Sequence, residues 1–279
     1  MIELGKTQTL YVVNQVDFGV YLGETANVPA AERVLLPKKQ VPEGIRTGDT
    51  LEVFIYKDSQ DRLIATTRKP VLQVGELAVL PVAQTAKVGA FLDWGLEKDL
   101  LLPFREQTAR VREKDECLVA LYVDKSSRLC ATMKVYHYLS TDSPYQAGDM
   151  VRGRVYEISD RFGIFVAVDD KYSGLIPHQE AQGNYHVGDV LTLRVSQVKE
   201  DGKLTLSSRQ KAYLQIEEDA HMILGVIEEF GNVLPFDDKA DPKVIQREFG
   251  LSKNAFKRGV GHLLKAGKIR MEDGKIYMK

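Results

Sequence analysis

Three short segments of the chain combine aromatic side chains with a glycine. In each segment an aromatic residue lies two positions after the glycine, and in the first and third segments another lies immediately before it. Exposed aromatic rings can stack on the bases of single-stranded nucleic acid, and each stacked base contributes about 1–3 kcal/mol. The candidate stacking residues, with a tryptophan that follows the second segment, are Phe18, Tyr21, Phe91, Trp94, Phe162 and Phe165. The alternative is that these side chains fill the cores of β-sheets, which bury Phe and Tyr readily.

Two of these segments place their aromatic residues as pairs. Phe18 and Tyr21 are three positions apart, as are Phe162 and Phe165. Residues three apart in a regular strand point to opposite faces. A glycine between them permits a β-bulge, so we predict a bulge at this glycine that brings both rings to one face.

A basic residue follows each segment at a similar distance. Arg62, Arg128 and Lys203 each begin a short strand after a polar turn. A lone basic residue is usually only solvated, but equivalent placement in three copies predicts a contact with phosphate. Arg152 and Arg154 are further candidates, because a period of two gives their side chains the same orientation.

The three segments belong to an internal repeat. Gly19, Gly89 and Gly163 are 70 and 74 residues apart, and each is followed by a Leu-Pro or Ile-Pro pair and then by an alternating strand. Short β-rich runs between Gly, Pro and Asp turns predict an all-β structure. Five strands in so short a repeat predict a small closed barrel, because closure removes the exposed edges of the sheet. We therefore expect three tandem five-stranded barrels of the OB type.

The sequence after about residue 213 changes to helical patterning. Residues 216–230 carry apolar side chains at helical spacing. An Asp-Pro pair starts a second helix that ends at Gly250, and Ser252 can cap a third helix that ends near Gly267. These features predict three consecutive helices.

The last residues of the chain predict a β-hairpin. Residues 269–278 alternate around an Asp-Gly turn. Three helices followed by a hairpin form a winged helix, so we expect a mainly β chain with a small α+β domain at its C-terminus. The predicted domains are three barrels at 1–68, 69–140 and 141–212, and a winged helix at 213–279.

The predicted winged helix is rich in basic residues. Residues 243–279 contain ten basic and three acidic residues. Such a basic face favours a contact with phosphate. The candidate contacts are Lys253, Asn254, Lys257, Arg258, Lys268, Arg270 and Lys275. A merely solvated face and a protein-binding winged helix are the alternatives.

The repeats resemble the RNA-binding barrel of the ribosomal protein S1 type, a branch of the OB fold. The third repeat is the best match, through Asp149–Val155, Phe162–Val166, Gly174–Ile176 and Leu204–Ser207. With the winged helix, whose third helix begins Ser252–Arg258, the arrangement resembles the conserved virulence factor B family of bacteria over nearly the whole chain. This resemblance implies RNA binding, a role in regulating gene expression, and a stacking surface at the paired aromatic positions.

The chain departs from this barrel pattern in several places, one of which is that the usual Asp four residues before the closing basic residue is Lys199 in the third repeat. Barrels of this type often have a His directly after a Gly-Leu-apolar triplet, and here Pro177 takes that position with His178 beside it. His178 therefore joins the candidate RNA contacts. The second repeat has Val88 where the first has Phe18 and the third has Phe162, so the three barrels are not expected to bind equally.

Composition and motifs argue against several other functions. A net charge of −1 and a pI near 6.5 are unlike those of a DNA-packaging protein. The five histidines lack the spacing of metal ligands, and no nucleophile motif is present. We expect a non-catalytic protein that needs neither a metal nor a cofactor.

The sequence favours the cytoplasm. The N-terminus lacks the pattern of a signal peptide, and no apolar run approaches the roughly 20 residues that span a bilayer. Cys117 and Cys130 are too few for a disulfide framework and are expected to be buried thiols in a reducing compartment. No membrane contact is expected.

These observations favour a single-stranded RNA-binding protein that affects gene expression after transcription. The third barrel and the winged helix would form the main RNA surface, and ribosomal or RNA-processing proteins are further candidate partners. One alternative is a transcription regulator that binds duplex DNA through the winged helix, although duplex DNA is the less favoured ligand. Another is an interaction scaffold for the ribosome or a nuclease, with no affinity for nucleic acid of its own.

Overall fold

The computed structural model describes residues 1–181, 183–208 and 212–279. The chain divides into two compact units, one of residues 1–208 and one of the residues that follow. The first unit contains the three repeats and the second contains the helices. In the described part of the chain, no helix combines the length and apolar character needed to cross a membrane.

The first and third repeats are closed five-stranded barrels with the same strand order. In each, the first strand pairs with the second and the fourth, and the barrel closes through a parallel pair between the third and fifth strands. The strands of the first barrel are β1 (Thr7–Val16), β2 (Gly19–Gly23), β3 (Val34–Pro37), β4 (Thr50–Lys57) and β5 (Leu63–Thr66).

The second repeat has five strands in the same arrangement. They form one sheet in the order β10-β9-β6-β7-β8, and its edge strands β8 and β10 lie side by side where the other barrels close. Its strands are β6 (Leu77–Ala86), β7 (Gly89–Leu92), β8 (Leu100–Pro103), β9 (Glu116–Val123) and β10 (Leu129–Thr132). The strands of the third barrel are β11 (Met150–Ser159), β12 (Gly163–Val168), β13 (Tyr172–Pro177), β14 (Val190–Val198) and β15 (Leu204–Ser207).

Alternating side chains fill the interior of each barrel. On β1, Leu10 and Val12 are buried, whereas their neighbours Thr9 and Tyr11 are exposed. This period of two puts apolar residues on the closed face and polar residues outside. Burying one large apolar side chain stabilises the fold by about 1.5–3 kcal/mol relative to leaving it exposed.

Adjacent barrels share apolar contacts. Phe54 on β4 of the first barrel is buried with Trp94 of the second barrel, and their ring centroids are 5.7 Å apart. Between the second and third barrels, Leu118, Val135 and Tyr156 belong to one buried cluster. Thr108 adds a polar contact there, since its hydroxyl donates to the carbonyl oxygen of Tyr156 at 2.6 Å.

The second unit is a winged helix with the predicted caps. Asp241 accepts a hydrogen bond from the N–H of Lys243, and Ser252 accepts one from the N–H of Ala255. Gly250 ends the second helix with a φ of +66°, a value that suits glycine. Its elements are α1 (Ala212–Glu229), β16 (Val233–Leu234), α2 (Pro242–Phe249), α3 (Lys253–Lys265), β17 (Ile269–Glu272) and β18 (Lys275–Met278).

The predicted fold class is confirmed, with one added strand. β17 and β18 form the expected hairpin, and β16 extends it to a three-stranded sheet in the order β16-β18-β17. The two residues of β16 are too few for a periodic pattern to reveal. The predicted boundary positions of the individual domains stay predictions.

Candidate nucleic-acid interface

Both aromatic pairs come together in the structure, but not through a bulge at the glycine. The ring centroids of Phe162 and Phe165 are 6.3 Å apart. Pairing between β11 and β12 shifts register at Tyr156, so the bulge lies in the preceding strand. Phe162 lies in the turn before β12, where the alternation of a strand does not apply. The predicted position of the bulge was therefore wrong.

The first barrel has the same geometry. The rings of Phe18 and Tyr21 are 6.3 Å apart and edge-to-face, and the register shift falls between Val12 and Asn14 on β1. Phe18 is exposed and Tyr21 is half-buried. This hairpin therefore presents an aromatic pair to solvent, as the third barrel does.

The glycine of each hairpin serves a close approach between strands. Gly163 has a φ of +113°, and a Cβ built on it would lie 2.1 Å from the carbonyl oxygen of Ile176. Gly19 and Gly89 show the same conflict with a carbonyl oxygen of the facing strand. A side chain at this position would push apart the strands that carry the aromatic residues.

The third barrel has a groove of about 400 Å³ beside its aromatic pair. Phe162 is 53% exposed, whereas Phe165 is half-buried. The ring of Tyr136 lies 5.9 Å from that of Phe165 and perpendicular to it. Three aromatic rings therefore line this groove in the order Phe162, Phe165, Tyr136.

A cation lies at each end of this row of rings. The guanidinium of Arg161 is 5.1 Å from the centroid of Phe162, and the Nζ of Lys203 is 5.6 Å from that of Tyr136. Lys203 also pairs with Asp201 at 2.7 Å. The hydrogen bond from Lys203 lowers the pKa of the Asp201 carboxyl and raises the pKa of Lys203 itself. The amine therefore stays charged at neutral pH.

The sequence-predicted His178 lies beside the same hairpin. Its backbone N–H donates to the carbonyl oxygen of Phe162 at 3.2 Å, and its side chain is exposed. Arg161 and Tyr136 are part of this surface but were not predicted. Adjacency to Phe162 could have indicated Arg161, whereas Tyr136 belongs to the connector between the second and third barrels.

Trp94 does not belong to an exposed aromatic surface, which corrects the prediction that it stacks on a base. Trp94 is 3% exposed, and its indole N–H donates to the carbonyl oxygen of Lys98 at 2.7 Å. Its ring packs against Phe54 of the first barrel. Its burial between two barrels leaves neither face for a base.

The second barrel carries an exposed aromatic residue directly after β8, next to the hairpin. Phe104 is exposed, and its N–H donates to the carbonyl oxygen of Val88 at 3.4 Å. This bond is the equivalent of the one from His178 to Phe162 in the third barrel. The repeated hairpin pattern covers the residues around the glycine that begins β7. Phe104 follows β8 and so lies outside that pattern. The predicted Phe91 is half-buried and lines a cavity of about 280 Å³ with Trp94.

The three repeated cations have different partners. Arg62 pairs with Asp58 of its own barrel at 2.7 Å. Arg128 of the second barrel binds Asp61 of the first, with Nε to Oδ1 at 3.0 Å and a second contact from Nη2 to Oδ2. Lys203 pairs with Asp201 of its own barrel and lies at the groove of that barrel.

Arg152 and Arg154 lie away from the aromatic row. Both line a separate polar cavity that includes Glu116 of the second barrel. The side chain of Arg154 is 11% exposed, and its Nε lies 2.8 Å from the Oδ1 of Asp170. This burial and pairing correct the prediction that Arg154 is free to contact RNA. Arg152 is exposed and stays a prediction.

The winged helix presents a basic stripe along α3. The side chains of Asn254, Lys257 and Arg258 are exposed, and the 13 residues of α3 include no acidic residue. Lys253 is half-buried, and its Nζ donates to the carbonyl oxygen of Lys239 at 3.3 Å. Lys257 is 4.0 Å from the carboxylate of Asp238.

The wing adds further exposed cations. Lys268, Arg270 and Lys275 are all exposed on or beside β17 and β18. Arg270 pairs with Glu272, and its guanidinium lies 4.7 Å from the ring centroid of Tyr277. The structure therefore brings most of the predicted basic residues to the surface of this unit.

Neither cysteine is placed for nucleophilic chemistry. Cys117 and Cys130 are free and buried, and burial raises the pKa of each thiol to about 11. Within the described residues, no three His, Cys, Asp or Glu side chains converge as a metal site.

Comparison with known domain families defines the class of protein. The S1 domain family matches residues 4–68 and 74–134, the S1 RNA binding domain family matches residues 145–209, and the CvfB-like winged helix domain family matches residues 221–278. The chain is thus a protein of tandem S1 barrels followed by a winged helix, and its third barrel belongs to the S1 RNA binding domain family.

Similarity over the whole length then identifies the family. The chain is 32% identical to the uncharacterized protein YitL of Bacillus subtilis, covering 99% of this chain and 93% of YitL. It is 26% identical to conserved virulence factor B of Staphylococcus saprophyticus, covering 90% and 87% of the two chains. The chain belongs to the family that contains YitL and conserved virulence factor B, which confirms the resemblance seen in the sequence.

A solved structure shares this fold. It is described as a multidomain protein with nucleic acid binding domains from Streptococcus pneumoniae. The match has a TM-score of 0.51 and 24% identity, and it covers 99% of this chain and 98% of the other.

Proposed function

We propose that this protein binds single-stranded RNA, without catalysing a reaction, and thereby regulates gene expression after transcription. The observation that carries the proposal is the exposed Phe162 beside Phe165 on the third barrel. These rings line a groove that also contains Lys203. Aromatic faces beside cations suit bases that are not paired and a phosphate backbone that follows them.

The requirement for a single strand follows from this surface. A duplex keeps its bases stacked inside the helix, where a protein ring cannot reach their faces. The net charge of the chain is close to zero, so attraction of the RNA backbone has to come from cations at the groove itself. Arg161 and Lys203 provide positive charge next to the rings.

Tandem barrels increase the affinity of weak individual sites. Once one barrel holds an RNA strand, the next barrel meets it at a high effective concentration. The exposed Phe18 of the first barrel and Phe104 of the second barrel are the surfaces that would use this effect. We propose that they add to binding at the third barrel.

The winged helix supports a second candidate function. The basic stripe at Asn254, Lys257 and Arg258 fits a phosphate backbone, including that of a duplex. If duplex DNA is the main ligand, it should displace single-stranded RNA in competition. The Lys257→Ala/Arg258→Ala variant should then lose binding that the barrel variants keep.

The cellular setting is a further part of the proposal. Two buried free thiols suit a reducing compartment such as the cytoplasm. Ribosomal or RNA-processing proteins are candidate partners there. A scaffold role without affinity for RNA predicts association with such proteins that survives nuclease treatment.

The proposal is tested by fluorescence anisotropy with the full chain and a labelled single-stranded RNA of about 12 nucleotides and mixed sequence. Removing two stacking rings in Phe162→Ala/Phe165→Ala should raise Kd at least about 30-fold. Wild-type binding should weaken steeply between about 50 and 200 mM salt. Absence of binding by the intact chain would refute the proposal, and unchanged binding by the double variant would move the site away from the third barrel.

A further inference from the structure

The connector between the second and third barrels reaches the groove of the third barrel. It contains a short 3-10 helix, Val135–His137, whose Val135 is buried between the two barrels. The N–H of Val135 donates to the carbonyl oxygen of Met133, and the N–H of Tyr138 donates to that of Val135, both at 2.9 Å. These contacts fix the backbone on both sides of Tyr136.

Tyr136 is held in place but remains accessible. Its side chain is 38% exposed and lines the groove. Its ring meets Phe165 at 5.9 Å and His137 at 5.2 Å, each at close to a right angle. Edge-to-face contacts hold an aromatic ring in one orientation, so part of the ring surface stays open to a ligand.

Lys203 completes this end of the groove. Its Nζ lies 5.6 Å from the ring centroid of Tyr136 and 2.7 Å from the carboxylate of Asp201. At the other end, Arg161 lies against Phe162. The row of three rings therefore has a cationic side chain at each end, and the one beside Tyr136 is paired with Asp201.

We infer that Tyr136 and Lys203 form a further nucleotide subsite, adjacent to the surface of Phe162 and Phe165. Tyr136 takes one additional base of a single-stranded nucleic acid, and Lys203 contacts a phosphate beside that base. This inference rests on the proposed function, since it extends the same groove. It also makes the RNA surface of the third barrel depend on the connector that precedes it.

This arrangement distinguishes the third barrel from a free-standing one. The predicted boundary of the third domain falls at residue 141, so Tyr136 belongs to the segment before it. The bulged residue Tyr156 packs under Phe165, with centroids 6.0 Å apart, and belongs to the same buried cluster as Val135. The contact between the second and third barrels therefore positions the subsite.

The test uses the full chain, a labelled single-stranded RNA of about 12 nucleotides and mixed sequence, and anisotropy at low salt. Tyr136→Ala removes one stacked base and should raise Kd by about 5- to 150-fold. Tyr136→Phe keeps the ring and should stay close to wild type. Tyr11→Ala is the matched control, because Tyr11 is 40% exposed and lies on β1 of the first barrel.

The outcomes separate the subsite from the proposed function. Loss of affinity in Tyr136→Ala, with rescue in Tyr136→Phe and an unchanged circular dichroism spectrum, supports the subsite. Wild-type affinity in Tyr136→Ala together with loss in Phe162→Ala/Phe165→Ala overturns the subsite and leaves the proposed function intact. Wild-type affinity in both variants overturns the subsite and moves the RNA-binding surface away from the third barrel. Equal loss in Tyr136→Ala and Tyr136→Phe also overturns the subsite, because a ring without the hydroxyl should still stack.

Discussion

Arg128 and Asp61 form a two-point ion pair that joins the second barrel to the first. The Nε of Arg128 lies 3.0 Å from Oδ1 of Asp61, and Nη2 contacts Oδ2. These hydrogen bonds lower the pKa of the Asp61 carboxyl below its ordinary value. Arg128 is the residue of the second repeat that is equivalent to Lys203 in the third repeat. One position of the repeat therefore serves to fix two barrels in the second copy and lines the groove in the third.

This difference predicts unequal effects of two equivalent substitutions. Lys203→Ala should weaken binding of single-stranded RNA and reduce the magnitude of the slope of log K against log salt by about 0.7, as expected for one lost phosphate contact on a single strand. Arg128→Ala should leave affinity and slope near their wild-type values, because Arg128 contacts Asp61 of the first barrel at two points and does not line the aromatic groove of the third barrel. Anisotropy across a salt series measures both. If the two variants lose affinity equally, Arg128 contacts RNA and the ion pair does not exclude it.

The repeat itself was predictable because it depends on local chemistry. A period of two, a glycine in each hairpin and Asp or Ser caps on the helices act within a few residues, so the sequence predicts three barrels and a winged helix. The burial of Trp94 is different, because it depends on Phe54 of another barrel. No pattern within the second repeat indicates that neighbour.

The residues of the candidate site that recur in the repeat were predictable from the sequence, and those that depend on contacts between barrels were not. Phe162, Phe165 and Lys203 recur at repeat positions and meet at one groove. Tyr136 has no equivalent in the repeat pattern, because it reaches the groove through the packing of the connector between barrels. Arg154 is a residue that the sequence pattern predicted wrongly. Its position in the strand suggests an exposed cation, but in the structure the side chain is mostly buried and paired with Asp170.

Tyr156 gives a test of the contact between the second and third barrels. Its side chain is buried, and its hydroxyl has no hydrogen-bond partner among the described residues. A buried polar group without a partner destabilises the fold, so Tyr156→Phe should raise the free energy of unfolding by about 1 kcal/mol. Tyr156→Ala should lower it by about 3–5 kcal/mol through the cavity that it leaves.

Denaturant unfolding monitored by circular dichroism measures these effects. The two variants share a position, so their opposite signs separate the hydroxyl from the ring. Destabilisation by Tyr156→Phe would show that the hydroxyl has a partner, such as a bound water. In that case the polar group would contribute to the contact between the barrels.

Gly163 and Gly148 provide a matched pair for testing how the hairpin holds its aromatic residues. Both glycines have positive φ, +113° and +105°, so alanine is strained at either position. A Cβ at position 163 would also lie 2.1 Å from the carbonyl oxygen of Ile176, whereas a Cβ at position 148 meets nothing within 4 Å. Gly148→Ala should therefore lower the free energy of unfolding by about 1–3 kcal/mol from backbone strain alone, and Gly163→Ala should lower it more.

The same pair of variants tests RNA binding. The clash at position 163 separates β12 from β13 beneath Phe165, so Gly163→Ala should weaken RNA binding under conditions where the variant is still folded. Gly148→Ala should leave RNA binding unchanged. Equal stability and equal affinity in the two variants would contradict the role of this close approach in positioning the rings.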